Sequence, residues 1–161
     1  MAETIELATA VERFPHLVLD TCVLIDALDP TPRADLRRIP RSQRRTSPIT
    51  LFEFLHGVGG QPLAAATQAH RRKWLDRQDI RYSGPFHRHF ADTLFSVVGR
   101  DGCPPALGDA LIAADCLAWG WPLVTVNVRH FEGVQGLRIV DGAQLRVEPN
   151  PLDSGVPGPQ N

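Results

Sequence analysis

LGDALIAADCLAWGWPLVTVNVRHF, residues 107–131, holds the pattern that decides the fold. Leu107 to Trp119 is a small-residue-rich helix, and Leu123-Val124-Thr125-Val126 is a short, continuously apolar strand with a helical turn at 128–131 behind it. The same alternation extends outward in both directions. Leu17-Val18-Leu19 is a buried strand ending at Asp20, and Thr21 to Leu28 starts a helix. Ser47 as N-cap and Pro48 at the first helical position open a helix over Ile49–Val58, stopped by Gly59-Gly60. Pro62 opens another to about Gln78, and Ile80-Arg81-Tyr82 is a short strand. Phe86, Phe90, Leu94, Val97 and Val98 give 85–98 a helical spacing, Gly99 to Pro105 is a turn, and Leu137-Arg138-Ile139-Val140 is a last strand. Short apolar strands separated by helices predict an α/β fold, a short parallel sheet flanked by helices on both faces. Open sheets of this kind place their sites at the carboxyl ends of strands.

Three segments lie outside that alternation. Residues 1–14 are an amphipathic helix or a loose N-terminal extension, ahead of a domain over 15–148. The segment 33–45, bracketed by Pro30, Pro32 and Pro40, is helix or loop. The tail 149–161 has four prolines and is expected to be disordered.

At 161 residues the chain has the length of one domain, and 43% hydrophobic with 22% charged residues excludes collagen-like, disordered and disulfide-scaffold classes. No apolar run approaches the ~20 residues of a membrane span. The acidic start Met1-Ala2-Glu3-Thr4-Ile5-Glu6 does not make the basic end of a signal peptide, so a cytoplasmic location is expected. Cys22, Cys103 and Cys116 lack metal-ligand spacing and are expected to be reduced packing residues. The net charge of −1 conceals an uneven distribution. Between Arg33 and Arg88 there are twelve basic residues and four acids, so the middle of the chain is a candidate polyanion-facing surface as well as a candidate set of solvated helix faces.

Four polar residues interrupt apolar surroundings. Asp20 and Asn127 each follow a strand, Glu53 lies inside Ile49-Thr50-Leu51-Phe52-Glu53-Phe54-Leu55, and Asp109 opens the helix through Ala110. Each has an ordinary alternative: helix cap for Asp20, wet helix side for Glu53, N-terminal charge for Asp109, turn residue for Asn127. His56 is assigned no ligand role. Asp115, six residues and about 240° around the helix from Asp109, is expected to face solvent. Carboxylates gathered at one sheet edge repel, and a hard divalent cation such as Mg²⁺ or Mn²⁺ is what holds such a set together.

These residues resemble the PIN-domain family of metal-dependent ribonucleases, and within it the VapC-type toxins of toxin–antitoxin pairs. The matching stretches are LVLDTCVLID (17–26), SPITLFEFLHG (47–57), LGDALIAADCLAWGWPLVTVNVRHF (107–131) and GLRIV (136–140). The resemblance implies a three-layer α/β/α PIN-like fold and an endoribonuclease with Asp20, Glu53, Asp109 and Asn127 at its site. Asp20 and Asp109 would be the ligands of Mg²⁺ or Mn²⁺, Glu53 would orient or deprotonate the attacking water, and Thr125 would support that edge from behind. Two positions depart from the family pattern: Asn127, where an Asp is frequent, leaves the set one charge short, and Cys22 stands where relatives often carry Asn. The resemblance also implies an RNA substrate, a cognate antitoxin and a homodimer. From charge, Arg37, Arg41, Arg44 and Arg72 are candidates to hold the RNA backbone.

Rival chemistries fit less well. An aspartyl-phosphate phosphatase or a receiver-like signalling domain, with Asp20 after its strand, needs a Lys near the site, and the only Lys is Lys73 in a predicted helix. A P-loop is excluded by the absence of GKS or GKT. A degenerate PIN-like module that binds RNA or serves as a scaffold is the non-enzymatic alternative, supported by Asn127.

Overall fold

The computed structural model describes residues 1–31, 33–57, 62–98 and 105–147. The expected tail, the turn after residue 98, the Gly59-Gly60 stop and Cys103 fall outside the described residues.

Leu17–Leu19 (β2), Leu123–Thr125 (β5) and Arg138–Asp141 (β6) are the interior strands that apolar patterning predicts. They belong to a six-stranded sheet of order β1-β6-β5-β2-β3-β4 in which every pairing is parallel. The register sets Val18 against Leu123, Leu19 against Val124, and Val124 against Val140. Strand alternation then divides the core. Leu17, Leu19, Val124 and Val140 face one layer, with Leu7 and Ala10 of α1 (Leu7–Arg13), Val23 and Leu24 of α2 (Thr21–Leu28), Phe54 of α3 (Pro48–His56) and Trp74 of α4 (Ala65–Arg77). Val18, Leu123 and Ile139 face the other, with Val97 of α5 (Phe90–Val98) and Ala110, Ile112, Ala113 and Cys116 of α6 (Leu107–Trp119). The architecture is therefore three layers, α/β/α. Ser47 caps α3 as its sequence predicts, its Oγ accepting the Thr50 N–H at 3.0 Å with Pro48 at the start of the helix.

The structure differs from the sequence reading at three places. Residues 1–14 are built into the domain: Glu3–Thr4 (β1) pairs with β6, and Leu7 and Ala10 are core residues. The segment 33–45 is neither helix nor plain loop but two 3-10 turns, Leu36–Arg38 and Arg41–Gln43, leading into β3 (Arg44–Thr46). β3 lies between β2 and the short β4 (Arg81–Tyr82). The predicted helix over 85–98 is shorter, beginning at Phe90. Among the described residues no helix is long and apolar enough to cross a membrane.

Candidate active site

Because all strands run the same way, their carboxyl ends share one edge, and three chain segments bring acids to it. Asp20 is still tied into the sheet by its backbone, its N–H donating to the Val124 carbonyl at 3.0 Å. It is also the N-cap of α2, with Oδ1 accepting the Thr21 N–H at 2.8 Å. Its other oxygen, Oδ2, accepts from the Thr125 hydroxyl at 2.7 Å and from the Cys22 thiol at 3.1 Å. Asp20 is 6% exposed, so the capping carboxylate is also a buried one at the strand edge. Thr125, at the end of β5, is fully buried, so its bond to Asp20 is shielded from solvent.

Glu53 is half-buried on α3, and its Oε2 accepts the Thr21 hydroxyl at 2.5 Å. Asp109 lies in the first turn of α6, where the helix dipole favours a negative charge, and its Oδ2 is 3.2 Å from Nδ1 of His130. Burial raises the pKa of both Glu53 and Asp109 above the ordinary carboxylate range. The charge of Asp20 adds to the shift in each, and that of Asp109 in Glu53. Opposing it, the Thr21 hydroxyl favours ionised Glu53 and His130 favours ionised Asp109. Asp20, Glu53 and Asp109 therefore share one field. Asn127 follows β5, and its N–H donates to the Thr125 hydroxyl at 3.1 Å while its side chain is exposed. His56 instead stacks against Phe52, ring centroids 5.0 Å apart.

The donor set is one a hard divalent cation accepts: carboxylate oxygens only, with Glu53 Oε1 and Asp109 Oδ1 free of hydrogen bonds to other described residues. Among the described residues no three His, Cys, Asp or Glu side chains are packed closely enough to form a ready-made metal cage. Burial and the neighbouring Asp20 push the Cys22 thiol up to about 11.

Three residues at the site escape a sequence-only reading. Thr21 was legible only as the start of a helix, yet it contacts both Asp20 and Glu53. His130 lies in the turn after Asn127 and meets Asp109 across the edge. Gly108 abuts Glu53: a Cβ there would lie 3.0 Å from Glu53 Oε1.

Two expectations need correction. Asp115 is not solvent-facing but fully buried, its Oδ2 accepting the Ser83 hydroxyl at 2.8 Å. Helix α6 is covered by the sheet on one side and α5 on another, so a position 240° from Asp109 remains inside. Arg44 is not available to RNA. It is 3% exposed, and its guanidinium donates to the carbonyls of Ile39, Leu36 and Gln78 at 3.0, 2.8 and 2.8 Å. It also begins β3, at the sheet edge opposite the acids.

The family model for the PIN domain matches residues 17–137. The chain belongs to the PIN-domain family. Solved structures with the same fold include VapBC from Salmonella typhimurium bound to DNA, at TM-score 0.64 and 24% identity, covering 80% of this chain and 99% of that one. VapBC-1 from nontypeable Haemophilus influenzae aligns at TM-score 0.64 and 21% identity, covering 78% and 97%. VapBC2 from Rickettsia felis, bound to a fragment of its promoter, aligns at 0.63 and 21%, covering 76% and 96%. No curated protein sequence matches the chain. The PIN match begins at residue 17, so β1 and α1 precede the matched region.

Proposed function

We propose that this PIN-domain protein is a Mg²⁺- or Mn²⁺-dependent endoribonuclease acting as the toxin of a toxin–antitoxin pair. The observation that carries the reading is the meeting of Asp20, Glu53 and Asp109 at one sheet edge, in mutual repulsion, with His130 the one basic side chain paired to any of them among the described residues. Asp20 and Asp109 would hold the ion. When bound, it supplies a water of lowered pKa and neutralises charge developing on the phosphodiester. Glu53, whose proton affinity is raised by burial and by the two aspartates, orients the attacking water and takes its proton. In-line attack on phosphorus expels the 3′-oxygen, leaving a 5′-phosphate and a 3′-hydroxyl. Thr125 holds Asp20 in its orientation, and Asn127 places an amide beside the same edge.

The RNA-backbone role divides unevenly among the arginines. Arg72 on α4 is exposed and lines a groove with Leu51, Leu55 and Tyr82, which leaves its guanidinium free to meet a phosphate. Arg37 is engaged by Asp35 through two bonds of 2.9 and 3.1 Å, and Arg41 donates to the Arg77 carbonyl. The antitoxin belongs to the same proposal, supported by the VapBC fold likeness, and the homodimer is carried with it from the family resemblance alone. A groove lined by Phe52, His56, Tyr82, Pro85 and Phe86 leaves Phe52 62% and Tyr82 56% exposed, the kind of apolar surface that a protein partner covers.

The test is a growth assay with induced expression. Parent chain arrests growth, and Asp20→Asn or Asp109→Asn does not. Equal toxicity of mutant and parent overturns the catalytic assignment.

A further inference from the structure

We propose that Thr21 and Gly108 are positioning residues that together fix the Glu53 carboxylate, Thr21 through its hydroxyl and Gly108 through its lack of a side chain. The inference rests on the nuclease reading for the reaction that Glu53 serves.

Thr21 is 6% exposed, in the first turn of α2, and it uses two different atoms on two acids. Its N–H donates to Asp20 Oδ1 at 2.8 Å, and its hydroxyl donates to Glu53 Oε2 at 2.5 Å. A threonine hydroxyl has one proton to give, and here it is spent on the carboxylate of another helix. Glu53 therefore cannot change rotamer without breaking a short charge-assisted bond. The second oxygen of the same carboxylate faces Gly108, where an added Cβ would sit 3.0 Å from Oε1. That separation is too close for both groups to keep their places. Gly108 is the second residue of α6 and has no positive φ, so its backbone conformation does not require glycine. Glycine also costs a helix stability relative to alanine. The neighbour its missing Cβ leaves room for is the carboxylate that Thr21 holds from the other side. Thr21, Glu53 and Gly108 thus join α2, α3 and α6 at one carboxylate.

The test uses the full chain and a panel of fluorescent single-stranded RNAs with Mn²⁺. Thr21→Val keeps the shape of the side chain and removes the proton. It should lower kcat about ten- to a hundredfold with KM within about twofold, the scale of a lost bond to a charged group. Thr21→Ser restores the hydroxyl and should recover to within about threefold. Gly108→Ala should lower kcat about tenfold while the melting temperature holds or rises, because alanine is the better helix former. The double variant Thr21→Val with Gly108→Ala should fall no further than about twofold below Thr21→Val alone, since both act on one group. A metal-free readout accompanies these: in a double-mutant cycle of Thr21→Val and Glu53→Ala, followed by urea unfolding, the two changes should couple by about tenfold or more in the unfolding constant. Asp20→Asn separates the two levels. If it cleaves as the parent does, the nuclease reading falls. If it is inactive while Thr21→Val and Gly108→Ala match the parent, the positioning inference falls and the nuclease reading stands. If no RNA in the panel is cleaved, the unfolding cycle decides, and absent coupling overturns the inference.

Discussion

Replacing Arg44 by methionine should destabilise the protein by about 2–4 kcal/mol without touching the acidic edge. Methionine keeps most of the aliphatic stem, so the loss isolates the guanidinium. Arg44 donates to three carbonyl oxygens, but the three are not equally dependent on it. The Leu36 carbonyl also accepts the Ile39 N–H at 3.0 Å and would keep a partner. Ile39 O and Gln78 O would each lose the bond Arg44 makes. An orphaned buried carbonyl costs about 1–3 kcal/mol, and Gln78 O, only partly buried, has water available and sits at the low end. Against a typical total of about 5–15 kcal/mol, this is a large fraction. It corresponds to a melting point lower by about 5–15 °C for a domain of this size. The assay is urea and thermal unfolding of parent, Arg44→Met and, as the exposed control, Arg72→Gln. A loss under about 1 kcal/mol for Arg44→Met would show the guanidinium to be dispensable to the fold and free for another role.

Other consequences concern charge. Glu53→Gln should abolish cleavage yet raise thermal stability at pH 7, since glutamine can still accept from Thr21 and removes a penalised charge. Because the folded-state pKa is raised, the parent is destabilised only above the ordinary glutamate pKa, so the gain should disappear as pH falls below it; a differential-scanning series from pH 3.5 to 8 checks this. Asp115→Asn should stay within about 1 kcal/mol of the parent in unfolding and leave cleavage unchanged, whereas Asp115→Ala, which leaves the Ser83 hydroxyl without its acceptor, should cost about 2 kcal/mol or more. Mn²⁺ should raise the melting temperature of the parent in a concentration-dependent way and leave Asp20→Asn/Asp109→Asn unchanged, measured by dye-based unfolding. Arg72→Gln should flatten the salt dependence of RNA binding by about 0.7 in log–log slope, one phosphate contact for a single strand; an unchanged slope removes Arg72 from the interface.

The elements legible in the sequence were those whose burial is two-sided. Leu17-Val18-Leu19 and Leu123-Val124-Thr125 are buried on both faces, and short runs of this kind between helical patterns fit interior parallel strands. β3 was illegible because Arg44-Arg45-Thr46 looks like a solvated segment; its burial depends on carbonyls from residues 36, 39 and 78, which only the tertiary fold brings together. β1 is two residues long, too short for any periodicity, and exists through its pairing with β6. Asp115 was misplaced for a related reason. Helical-wheel logic assumes one wet face, and α6 is enclosed between the sheet and α5. At the site, the acids at strand ends and in apolar helices stood out one by one, because a carboxylate in such company needs a reason. How they are joined did not: the Thr21 bridge spans 32 residues of sequence and the Thr125–Asp20 bond spans 105.

Cleavage of RNA at the acidic edge with the help of a divalent cation is directly measurable. The direct measurement is cleavage of an RNA panel by purified protein in Mn²⁺, with an EDTA arm and with Asp109→Asn in parallel, and the product ends mapped. Cleavage should occur in Mn²⁺, leave 5′-phosphates, and be lost both in EDTA and in Asp109→Asn. Cleavage that persists in EDTA, or that survives in Asp109→Asn at the parent rate, would contradict it.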